Sequence, residues 1–116
     1  MNIEIGVRLF DQSRHTKKPF YQNKIDHHLD QLPNPKFMVR KLLRFLPPDI
    51  LPYNIQADIT VLVDGKAQHS KFGNIIADNL LLELEILVAD ILLLVYFSTA
   101  KSLKEVINNI TVEKEM

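Results

Sequence analysis

Residues 74–97 are a run of leucine, isoleucine and valine interrupted only by a few polar side chains, and any fold of this chain must find a place to bury it. Two readings compete. As one helix, Asp78, Asn79, Glu83, Glu85 and Asp90 gather within about half of the wheel, and the opposite arc carries Ile76, Leu80, Leu84, Leu87, Val88, Ile91 and Leu94. As strands, residues 82–86 alternate leucine or isoleucine with glutamate, and residues 91–97 form a short wholly apolar run of the kind seen in a strand covered on both faces. Leucine content favours the helix. Val95, Tyr96 and Phe97 favour strands, and Ser98 or Thr99 is placed to cap a separate helix in which Leu103, Val106, Ile107 and Ile110 recur. The strand reading is taken as the expectation. A membrane span is disfavoured, because carboxylates interrupt the stretch and its uninterrupted part is far below the ~20 residues a bilayer requires.

The rest of the chain supplies the elements that would cover this run. Ile3, Ile5, Val7 and Leu9 alternate with polar neighbours and predict a strand. Residues 11–18 are polar and aperiodic, hence a loop. Pro19 then opens an expected helix with Ile25, Leu29 and Leu32 on one stripe. The prolines within residues 32–35 end it, and a second helix is expected over residues 36–46, with Met38, Leu42 and Phe45 on one side and Val39, Leu43 and Leu46 beside them, stopped by Pro47-Pro48. Ile55, Ala57, Ile59, Val61 and Val63 predict a further strand. Asp64-Gly65 directly after it predicts a hairpin turn, with residues 66–70 returning as a polar edge. Residues 112–116 read as a frayed tail of a single domain spanning residues 1–116.

Composition removes whole classes of function. At 116 residues the chain is long enough for one core, and with no Cys it has no disulfide scaffold, thiolate metal site or cysteine nucleophile. Residues 1–10 alternate instead of forming a signal peptide, so a cytoplasmic location is the expectation. With glycine only at positions 6, 65 and 73, no phosphate-cradling loop, dinucleotide fingerprint or nucleophile elbow can be written. The net charge of zero hides an asymmetry. Residues 1–46 hold nine basic and four acidic side chains, 9 − 4 = +5, and residues 47–116 hold five lysines and ten carboxylates, 5 − 10 = −5. Lys36, Arg40 and Arg44 recur every four residues and would form a basic row facing a nucleic acid or simply water.

Two groups of residues carry possible metal chemistry. His27-His28 beside Asp26 and Asp30 lacks the i, i+4 histidine spacing of a helical zinc site, and a surface pair is the expectation. Asp58 on one strand and Glu83 and Glu85 on another resemble the acidic core of the restriction-endonuclease-like nucleases. That resemblance covers only these positions and the order of elements. It implies Mg²⁺ held by carboxylates and cleavage of nucleic acid, although Glu85 stands where that family carries a lysine.

The expected fold is α+β, a small antiparallel or mixed sheet with helices packed on it; the alternative is a mostly helical domain with one long helix over residues 74–97. No catalytic residue can be named and no cofactor is required. The expected function is a non-catalytic interaction module that associates with itself through the apolar C-terminal half, with Leu92, Leu94 and Tyr96 sharing the exposed face of a strand. The alternative is a nucleic-acid-binding or nuclease-like protein using Lys36, Arg40 and Arg44 for phosphate and Asp58, Glu83 and Glu85 for Mg²⁺.

Overall fold

The computed structural model describes residues 1–28 and 33–115, with side chains described for 1–28, 33–66 and 69–98. The fold is α+β. Four antiparallel strands, β1 (Asn2–Asp11), β2 (Tyr21–His28), β3 (Asn54–Val63) and β4 (Lys66–Ile76), form one sheet in the order β2-β1-β3-β4. Helix α1 (Pro35–Leu42) and the long helix α2 (Leu80–Glu115) cover one face of it.

The alternation seen in the sequence fixes which face that is. Ile3, Ile5, Val7 and Leu9 of β1 and Ile55, Ala57, Ile59 and Val61 of β3 are all buried, and they join Met38, Val39 and Leu42 of α1 and Leu84, Val88, Ile91, Leu92 and Val95 of α2 in a single cluster. Pro35 at the first turn and the Asn34 side chain, which accepts from the Lys36 and Phe37 amides at 3.0 and 3.3 Å, start α1. Asp64 and Gly65 both take positive φ, 49° and 81°, and close the β3–β4 hairpin as a type I′ turn. The return strand β4 runs on to Ile76, beyond the polar stretch 66–70.

Two expectations are corrected. Residues 21–28 are a strand, not a helix opened by Pro19; Leu29 and Leu32 of the expected stripe lie outside the described residues. The inward positions of β2 are Tyr21, Asn23, Ile25 and His27, and two of them are polar for a reason. The Tyr21 hydroxyl and the Asn23 amide both donate to the Leu42 carbonyl, at 2.6 and 3.0 Å, satisfying the end of α1. That use of the inner face erased the apolar alternation.

The second correction concerns the leucine-rich run. Residues 82–97 are helix, as are residues 100–110, and they belong to one element, α2, where strands and a separate terminal helix were expected. The helix begins later than residue 74, because β4 and a 3-10 turn at Ala77–Asn79 occupy the first positions, and it extends far past residue 97. Its backbone continues about 30 Å beyond Val95 at the helical rise per residue. The Cα radius of gyration of 17.4 Å and extents of 64 × 26 × 20 Å reflect that extension, against about 13 Å for a compact chain of about 100 residues.

Candidate functional site

The sheet has an uncovered face, and it carries the polar positions of β1, β2 and β3 together with the exposed Phe72 of β4, which pairs with Asp58. Arg8 and Asp58 are directly opposed in the β1–β3 register, and the Arg8 guanidinium holds Asp58 Oδ2 through both Nε, at 3.1 Å, and Nη2. Asp58 is 1% exposed and its Oδ1 is buried without a hydrogen-bond partner. Lys24 reaches Glu4 at 3.0 Å, which raises the lysine above its ordinary pKa, chiefly through the hydrogen bond. At the end of β1, Asp11 accepts from the Ser13 hydroxyl and amide, and these bonds, helped by Arg14, lower its pKa below the ordinary carboxylate value.

Between these pairs lies a shallow depression of about 470 Å³ over Gly6, bordered by Arg8, Gln22, Lys24 and Thr60. Its two cations are each engaged by a carboxylate, so it presents no surplus charge to an anion and no nucleophile with a base beside it. A second depression, about 480 Å³, is apolar and lies where the chain after α1 meets the start of α2, lined by Leu43, Leu46, Leu51, Leu80 and Leu81 among others.

The predicted metal ligands do not converge. Asp58 faces outward from the sheet, whereas Glu83 and Glu85 sit on α2, which packs against the opposite, inner face. The sheet therefore stands between them. His27 and His28, being neighbours on a strand, point to opposite faces of β2. Among the described residues there is no group of three or more His, Asp or Glu side chains placed to hold a metal ion. In the basic row, Lys36 and Arg40 are exposed on α1, but Arg44 falls in the turn after the helix and lies over the Phe45 ring at 4.5 Å.

The expected interface residues also part company. On a strand Leu92, Leu94 and Tyr96 would share a face; on α2 Leu92 is buried in the core while Leu94 and Tyr96 are exposed. What the helix displays instead is a second apolar side. Leu82 is 58% exposed, Ile86 47%, Leu93 43%, Tyr96 46% and Phe97 65%, and at 100° per residue all fall on the side away from the buried Leu84, Val88, Ile91 and Val95. Glu85 and Asp90 flank this side. Only Tyr96 of it was singled out from the sequence; the helical spacing 82, 86, 93, 97 was the signal available for the rest.

No helix among the described residues is long and apolar enough to cross a membrane. No family model matches this chain, and neither does any curated protein or solved structure.

Proposed function

We propose that this chain is a non-catalytic protein-interaction module that associates with copies of itself through the outward side of α2. The observation that supports this is the uncovered apolar row of Leu82, Ile86, Leu93, Tyr96 and Phe97, opposite a fully formed core. Soluble chains rarely leave so continuous an apolar surface in water, because each large side chain buried between partners contributes roughly 1.5–3 kcal/mol. On the sheet's open face the cations Arg8 and Lys24 are engaged by Asp58 and Glu4, so they are not free to recruit an anionic partner.

Sedimentation at micromolar to high micromolar concentration tests the reading. The expected result is a mass above that of the 13.4 kDa chain, returned to the monomer value by Leu93→Glu with an unchanged circular dichroism spectrum. A clean monomer at every concentration overturns it.

A further inference from the structure

Beyond self-association, we propose that α1 and the turn after it bind single-stranded nucleic acid, with Lys36, Arg40, Lys41 and Arg44 meeting phosphates and the Phe37 and Phe45 rings stacking on bases. Met38, Val39 and Leu42 are spent on the core, so the other side of this short helix is turned to water. That side is basic and aromatic at once. Lys36 and Arg40 are exposed on the helix and Arg44 in the turn, Phe37 is 50% exposed and Phe45 68%, and residues 33–48 contain no carboxylate.

These cations are free. Arg8, Arg14 and Lys24 each hold a carboxylate, whereas among the described residues none of the four on α1 and its turn is paired with one. Arg40 and Lys41 stand in the last turn of α1, where the negative end of the helix dipole favours a cation. Lys36 has no such reason. It stands in the first turn, at the positive end, with no acidic residue there to offset it. Like charge gathered on one short segment against its own repulsion attracts a polyanion, whose condensed counterions are released when lysine and arginine meet its phosphates.

The rings decide which polyanion. Lys41 Nζ lies 4.5 Å from the centre of the Phe37 ring, and the Arg44 guanidinium carbon lies 4.5 Å from that of Phe45. Each pairing sets a cation against a flat apolar surface that stays at least half in water. Single strands are held through this combination, a base stacking on the ring while the neighbouring phosphate meets the cation. A duplex keeps its base faces stacked on one another and gives the rings no role. A lipid surface fits less well, because interfacial helices carry cations and apolar residues on opposite sides, and here the core occupies the apolar side.

Fluorescence anisotropy of a labelled deoxythymidine oligomer of about ten nucleotides tests the site on the full chain. Binding is expected to weaken about 20- to 50-fold between about 50 and 200 mM salt, the dependence of three or four phosphate contacts on a single strand. Arg40→Gln with Arg44→Gln should remove about half of that slope. Phe45→Ala, at an exposed position, should keep the slope and weaken binding about tenfold, a loss that charge alone does not produce. An oligomer that fails to bind at about 50 mM salt, an equal affinity for a duplex of the same length, or an unchanged affinity in Phe45→Ala each overturns the site. Retention on vesicles rich in anionic lipid without binding to the oligomer overturns it in favour of a membrane surface. None of these outcomes touches the self-association reading, which Leu93→Glu tests on a different helix.

Discussion

Asp58 is a buried carboxylate whose one partner, Arg8, remains half in water, with a side chain 51% exposed. Removing the arginine strands the carboxylate, because Oδ1 already lacks a hydrogen bond. Arg8→Ala is expected to cost about 2 kcal/mol in urea unfolding, below the ~3–5 kcal/mol of a wholly buried pair because solvent already screens the guanidinium. Replacing both, as Arg8→Met with Asp58→Leu, should recover most of that loss; a double variant no more stable than Arg8→Ala would show that the pair is not what holds Asp58. The polar side of β3 was legible from alternation, and so was Asp58's place on it. Its partner was not, since alternation assigns a face to each strand and says nothing of which strand lies alongside. The magnesium reading grew from that gap, as it set Asp58 beside glutamates that the sheet keeps on its other side.

At the scale of elements, β1, β3 and the Asp64-Gly65 turn were legible because each obeys one dominant pattern. Helix α2 was ambiguous because it has two apolar sides. One is spent on the sheet and the other is open, so the polar residues that should mark a single wet face are reduced to Glu83, Glu85 and Asp90 along the flanks. A helix apolar on two sides resembles, in one dimension, a strand covered on both faces. The same division predicts opposite responses to matched truncations. Leu84, 1% exposed, should cost about 2–4 kcal/mol of monomer stability as Leu84→Ala. Leu93→Ala should leave monomer unfolding within about 0.5 kcal/mol while weakening association. Equal thermal destabilisation by the two under dilute conditions would show that the outward side is not outward.

For the molecule as a whole, the net-basic first part of the sequence and its net-acidic second part are brought side by side where α1 packs against α2. The proposed pairing between copies then rests on the apolar outward row of α2. The buried residues among those described, from Ile3 to Val95, already join the sheet, α1 and the first part of α2 in one cluster. Deleting residues 99–116 is therefore expected to leave a cooperatively unfolding protein whose thermal midpoint, measured at a concentration where the full chain is monomeric, shifts by no more than a few degrees. Leu82, Ile86, Leu93, Tyr96 and Phe97 all precede the cut, so the shortened chain keeps the outward apolar row and should still sediment above the monomer mass at high micromolar concentration. Loss of folding on deletion would show that the core is not closed at Val95, and loss of association would show that the row before residue 98 does not carry the contact.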